Sequence, residues 1–202
     1  SDINFLKTLP KREIICGYGE ILKHSLIANK KFFLFLNKNA TKILNLKSPF
    51  IEKSIHQSCL IKKRIIETDE KEKNLRKILN FGHTFAHAYE ATLQYSKKLN
   101  HGEAVILGIM NASKFSLKNN LLSKDEFELI KNHLIQFKLP IKLRKKISSN
   151  KLNNIVSFMK KDKKNNTKKI NLILLKKIGQ PILNLNFENK KIHSFLKGEL
   201  IN

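Results

Sequence analysis

Apolar residues recur every three or four positions through most of this chain, and that helical period constrains its fold more than any other feature. Residues 11–29 carry Ile14, Ile15, Tyr18, Ile21, Leu22 and Leu26 as one stripe and read as a first helix. Ser48-Pro49 is the next start signal, an N-cap serine followed by proline at the first helical position. Its helix runs through Ile51, Ile55, Cys59, Ile61 and Ile65 to about Thr68. A charged linker, residues 67–74, precedes the helical run NFGHTFAHAYEATL at 80–93. Residues 95–100 read as a loop, and His101 opens an apolar helix through Val105, Leu107, Ile109 and Met110. Ser123 and Glu126 form a capping box for a helix that ends before Pro140. The pattern changes near residue 161: a polar loop at 161–169 leads to two short strands, 170–175 and 181–187, joined through Ile178, Gly179 and Gln180. A last helix covers residues 190–200. The expected fold is mainly α with one small β-hairpin near residues 170–187, and no internal repeat.

The chain has 202 residues, 41% of them hydrophobic, which suffices for one domain with a substantial core. There are 40 Lys+Arg against 16 Asp+Glu, a net charge of +24. Such a charge is the usual footprint of a nucleic-acid binder. The lysines, however, are spread along the whole chain, and an AT-rich coding sequence produces the same Lys, Asn and Ile bias. The charge therefore implies salt-dependent, non-specific association with polyanions and suits an anionic substrate equally well. Cys16 and Cys59 are too few for a disulfide framework and are expected as reduced, buried thiols. No apolar run is long enough to span a membrane and no signal peptide is evident, so a soluble, cytoplasmic protein is expected. The chain opens Ser-Asp-Ile-Asn without an initiator Met, which suggests a processed or truncated piece.

His83 and His87 stand four apart and project from one helix face. The pattern is not the HExxH of a metalloprotease, because Thr84 stands where the glutamate base is needed. A single histidine on an apolar helix is most often a hydrogen-bonded core residue. His101 differs, sitting at a helix start beside Gly102, where a ligand can come close. Glu20 is an isolated carboxylate in an apolar helix just after two glycines, and an ionised glutamate is rarely buried without a partner. Two imidazoles and a carboxylate would make a zinc shell with a position open to water or substrate. Glu20 lies far from the histidines in sequence, so spacing alone does not decide for that shell.

Four segments, GYGEILKHSLI, DEKEKNLRKILNFGHTFAHAYEA, HGEAVILGIM and MKKDKKN with a hairpin after it, come in an order and at a spacing that resemble the 3-dehydroquinate synthase family. The resemblance covers about residues 5–190 and matches the C-terminal, metal-binding half of that family. It implies a single helical metal- and substrate-binding domain over residues 1–202, without the N-terminal α/β domain that holds NAD. It also implies Glu20, His83 and His101 as ligands of Zn2+ or Co2+. By the same resemblance Lys23 contacts the substrate in the catalytic centre, and His87 moves protons beside the substrate's phosphate. Lys62, Arg76 and Asn80 hold its carboxylate and hydroxyls, and Lys163 or Lys164 contacts phosphate or carboxylate. Two positions depart from the family: Ala86 stands where glycine is usual, its methyl able to crowd the site but also to favour the helix, and Gly19 where alanine is commoner.

The activity so implied is the shikimate-pathway lyase reaction that turns 3-deoxy-D-arabino-heptulosonate 7-phosphate into 3-dehydroquinate and phosphate. This chain has the Gly17-Tyr18-Gly19 start of a dinucleotide fingerprint, but Leu22 replaces the third glycine and no βαβ pattern follows. The chain alone is therefore expected to bind metal without turnover, its N-terminal half supplied in trans or lost. The resemblance also implies a homodimer. Four competing readings share some of these features. One is another sugar-phosphate cyclase, which Arg76, Asn80 and His87 together disfavour. A second is the iron-dependent alcohol dehydrogenase group, which fits the histidine segment less well. The third is a non-catalytic basic helical module that binds nucleic acid. The fourth is a remnant that keeps the fold without function, against which the intact ligand positions argue.

Overall fold

A computed structural model describes residues 3–161 and 169–201. Among the described residues there are eight α-helices, one of them central. They are α1 (Lys11–Ala28), α2 (Lys30–Leu44), α3 (Phe50–Thr68), α4 (His83–Thr92), α5 (His101–Lys118), α6 (Lys124–Gln136), α7 (Leu152–Lys161) and α8 (Asn189–Ile201). Between α7 and α8 lies the antiparallel hairpin β1 (Lys169–Lys177) and β2 (Gln180–Glu188). The mainly α architecture with a single hairpin is thus as expected.

The centre is α5, whose residues 102–113 are buried without interruption. A helix apolar on all sides has to be surrounded, and α1, α4 and α6 pack against it together with β1. Two glycines set how close these helices come. A Cβ on Gly102 would meet the Cys16 Cα of α1 at 2.3 Å, and one on Gly108 would meet the Gly82 carbonyl oxygen at 2.2 Å. Gly82 itself has φ +79, a left-handed turn that ends the 3-10 helix Leu75–Asn80 and starts α4 at His83. The two histidines therefore sit on a helix that begins at the first of them.

The hairpin pairs Ile170 with Phe187 and Leu172 with Leu185, and turns at Gly179 with φ +85. It is fastened from three sides. Leu175 N–H donates to Ser116 Oγ at 3.1 Å, Ile178 N–H to Glu126 Oε2 at 2.6 Å, and Gly179 N–H to the Leu26 carbonyl at 2.7 Å. Glu126 explains one departure from expectation. Ser123 accepts from the Glu126 N–H, but the Glu126 carboxylate does not complete a capping box, because it bonds Ile178 and Lys30 instead. A capping box forms at α5, where Glu103 accepts from the Asn100 N–H at 3.0 Å.

Two other expectations are corrected. Pro49, not Ser48, is the N-cap of α3, because the Lys47 carbonyl already accepts from Phe50 and Ile51 and sets the helix start one residue later. Cys59 is exposed, since α3 turns only Ile51, Ile61 and Ile65 fully inward among its apolar residues, and Cys16 on α1 is half-buried. Ala86 is fully buried among the core residues. Among the described residues no helix is long and apolar enough to cross a membrane.

Candidate metal and substrate site

Three helices each contribute one donor to a single point. Glu20 comes from α1, His83 is the first residue of α4 and His101 the first of α5. One ligand atom from each lies within 4.8 Å of the others. Glu20 Oε1 stands 3.7 Å from His83 Nε2 and 4.0 Å from His101 Nε2. Tetrahedral zinc at about 2.1 Å from its donors would place them about 3.4 Å apart, so small side-chain shifts close the shell. The other carboxylate oxygen, Oε2, accepts from Lys23 Nζ at 2.8 Å. Oε1 is buried and has no hydrogen-bond donor, and an orphaned carboxylate oxygen between two imidazole nitrogens fits a divalent cation.

The far side of each ring is also arranged. His83 Nδ1 lies 3.3 Å from the Phe81 carbonyl oxygen, and His101 Nδ1 lies 3.2 Å from both oxygens of Glu90. A ring that donates from Nδ1 keeps its Nε2 lone pair for the cation. Burial, then the charge of Lys23, pushes the His83 imidazole down to about 4, which leaves it neutral. The hydrogen bond to Glu90 raises His101 above its ordinary range. Burial works against ionised Glu20, but Lys23 outweighs it and holds the carboxyl below its ordinary range. Lys23 is itself buried, and desolvation lowers its pKa against the pull of Glu20.

The remaining expected residues fall into three groups. His87 joins the cluster, its ring centroid 5.4 Å from that of His83 and 6.3 Å from that of His101. Lys62 reaches the same region from α3, where its charge disfavours protonation of both Lys23 and His24. Arg76 and Asn80 stand on the 3-10 helix before α4 and are engaged by the preceding loop. Arg76 donates to the Glu70 carbonyl at 2.6 Å, and Asn80 Nδ2 to Glu72 Oε1 at 2.8 Å. Lys163 and Lys164 lie outside the described residues.

The geometry adds residues that the sequence reading passed over. Glu90 is one; its signal was the i, i+4, i+7 stripe of His83, His87 and Glu90 on one face of α4. His24 is another, with its Nδ1 2.7 Å from Ser58 Oγ and its pKa pushed by burial to about 4. His24 borders a cavity of about 360 Å3 that runs from Glu20 and Lys62 to an apolar wall that includes Leu9 and Ile55.

A description of a known family, 3-dehydroquinate synthase C-terminal, matches residues 17–165. The chain belongs to the 3-dehydroquinate synthase C-terminal family. The match takes in all three donors and every expected substrate residue. A 3-dehydroquinate synthase of Pelagibacter ubique is 66% identical over 200 residues, 99% of this chain and 54% of that protein. Those of Thermodesulfovibrio yellowstonii and Campylobacter concisus are 38% and 41% identical, over 93% and 90% of this chain and 50% of each relative. The chain spans about half the length of the curated relatives it matches.

Solved structures agree on the fold. A 2-epi-5-epi-valiolone synthase of Streptomyces hygroscopicus, solved with NAD+ and Zn2+, superposes with a TM-score of 0.84 at 20% identity, over 98% of this chain and 54% of that one. A 2-deoxy-scyllo-inosose synthase solved with carbaglucose-6-phosphate, NAD+ and Co2+ gives 0.78 at 22%, over 95% and 53%. At such identities the likeness is one of fold alone.

Proposed function

We propose that this chain is the metal- and substrate-binding half of a 3-dehydroquinate synthase. In that reading it acts on 3-deoxy-D-arabino-heptulosonate 7-phosphate and yields 3-dehydroquinate and phosphate, a step of the shikimate pathway in the cytoplasm. The observation that carries it is the buried, unpartnered Glu20 Oε1 facing the Nε2 atoms of His83 and His101. The family match and the shared name of the relatives support the reaction.

In this reading Glu20, His83 and His101 hold Zn2+ or Co2+. Once bound, such an ion polarises neighbouring substrate hydroxyls and lowers their pKa. The chain's own residues do the rest. Lys23 ties down the second oxygen of Glu20 and places a desolvated positive charge beside the substrate. Arg76 and Asn80 exchange the Glu70 carbonyl and the Glu72 carboxylate for the substrate's carboxylate and a hydroxyl. Lys62, with Lys163 or Lys164, adds charge to hold the phosphorylated acid. His87 accepts a proton during phosphate elimination and returns it afterwards.

The nicotinamide cofactor does not fit these residues. Among the described residues the only sheet is one antiparallel hairpin, which has no parallel strands to form a nucleotide crevice. NAD belongs, in this reading, to an N-terminal half joined to the chain or supplied in trans. A homodimer is part of the same proposal.

Elemental mass spectrometry of the purified chain tests the reading. The expected result is about one zinc or cobalt per chain, lost in Glu20→Ala and His83→Ala. Adding an N-terminal half and NAD should then restore turnover of the seven-carbon acid phosphate. A folded chain that takes up no metal under cobalt or zinc titration would sink the proposal.

A further inference from the structure

The two histidines of the cluster are held in different ways. His83 is buried at the start of α4, where packing fixes its ring. His101 has a side chain 52% exposed, so few atoms hold its ring in place. A rotating imidazole makes a poor ligand, because each wrong rotamer or tautomer removes the Nε2 lone pair from the shell. Something other than packing has to fix it.

Glu90 meets that need. Its side chain is 11% exposed, and a buried carboxylate needs a partner. Both of its oxygens lie 3.2 Å from His101 Nδ1, while Glu20 faces the opposite nitrogen at 4.0 Å. The imidazole is thus set between two carboxylates, one buried and supporting, the other sharing the open position. Glu90 also stands seven residues after His83, so one helix carries a donor and the group that aims the next donor.

The geometry points to Glu90 as a positioning residue that accepts the Nδ1 proton of His101 and turns its Nε2 toward Glu20 and His83. The inference rests on the metal-site reading above, but its first test does not need metal. Long-range proton–nitrogen NMR of the metal-free chain, well above the ordinary imidazole titration range, reports the tautomer of His101. The wild type should show the Nδ1–H form. Glu90→Ala should show the mixture of tautomers of a free imidazole, shifted toward Nε2–H. A wild type with His101 in the Nε2–H form would overturn the proposal.

Cobalt titration is the second test, read by the visible spectrum of the bound ion. Glu90→Ala should weaken Co2+ binding about 10- to 100-fold. Glu90→Gln should lose less, because its amide oxygen can still accept from Nδ1–H, and its matching shape covers a failure of the alanine variant to fold. Glu128→Gln, which removes the partner of Lys131 on α6, should bind Co2+ as the wild type does. Unchanged affinity and spectrum in both folded Glu90 variants would overturn the inference. A wild type that binds no Co2+ would sink the metal reading alone, and the tautomer would still judge Glu90.

Discussion

The glycines show how single residues place the cluster. Gly17 has open space where a Cβ would go, whereas Gly102 meets the Cys16 backbone and Cβ at 2.3–2.5 Å. Both sit inside helices, so alanine gains helix propensity at both. At Gly17 nothing opposes that gain, and Gly17→Ala should raise unfolding free energy by about 1 kcal/mol. At Gly102 the methyl would push α1 from α5, and Gly102→Ala should cost about 3 kcal/mol and weaken metal binding with it. Denaturant melts of the two variants check both signs; a Gly102→Ala protein as stable as wild type would show that α1 and α5 do not need their close approach. At this scale the sequence was informative about identity and silent about cause. Glu20, His83 and His101 were legible as a motif. Glu90 was not singled out, because a carboxylate at i+7 on a helix is ordinary until α5 brings an imidazole against it. Arg76 and Asn80 were named through the resemblance, but the sequence did not show that Glu70 and Glu72 occupy them.

At the scale of helices, most elements were legible, namely α1, α3 with its start shifted by one residue, α4, α5, α6, α8 and the hairpin. The helices α2 and α7 were not read. In α2 the apolar residues Phe32, Phe33, Leu34, Phe35 and Leu36 run together, so the period shows only once Phe32, Phe33, Leu36, Ala40 and Ile43 are seen to face inward. Asn29 marks the break, since it ends α1 and accepts from the Phe32 N–H to start α2. Three helices are then locked by one buried histidine. Tyr18 of α1 pairs with His133 Nε2 of α6 at 2.9 Å, and His133 Nδ1 with Asn37 Oδ1 of α2 at 2.9 Å. Burial raises the Tyr18 pKa and pushes His133 down to about 4, so the tyrosine donates and the imidazole stays neutral. A histidine whose folded pKa is depressed binds its proton first in the unfolded chain. Its contribution is present above the unfolded value, near 6.5, and is lost as pH falls from there toward 4. That window is worth about 3 kcal/mol. His133→Gln should be less stable than wild type at pH near 8 and should lose less between there and pH near 4. Thermal melts across the range check this; parallel acid limbs would show that His133 does not titrate in that window.

Over the whole molecule, the sixteen acidic residues and forty basic ones are used differently. Glu90, Glu103 and Glu126 are buried and tie helix ends together, and Glu20 faces the cluster. Glu103 alone binds Arg12 at 2.5 Å, Lys146 at 3.3 Å and the Asn100 N–H, which fixes the α5 terminus that carries His101. With the carboxylates so engaged, the lysines on the surface leave a broad positive field. That field was legible in composition, but its meaning was not, because attraction of a small sugar-phosphate acid and of a nucleic acid begin from the same charge. The two differ in where the energy resides. A polyanion bound by diffuse lysines releases counterions and is lost as salt rises, and it requires no particular donor in the cluster. Duplex DNA should therefore bind weakly and without sequence preference, and its affinity should fall by about 100-fold or more between about 50 and about 200 mM salt. The same affinity should persist in Glu20→Ala, which removes one of the three donors of the cluster. Fluorescence anisotropy with two unrelated duplexes over a salt series measures all three. A preference for one duplex, or a plateau at high salt, would mean that the basic surface holds a built nucleic-acid site, and the charge would then need an explanation apart from the proposed function.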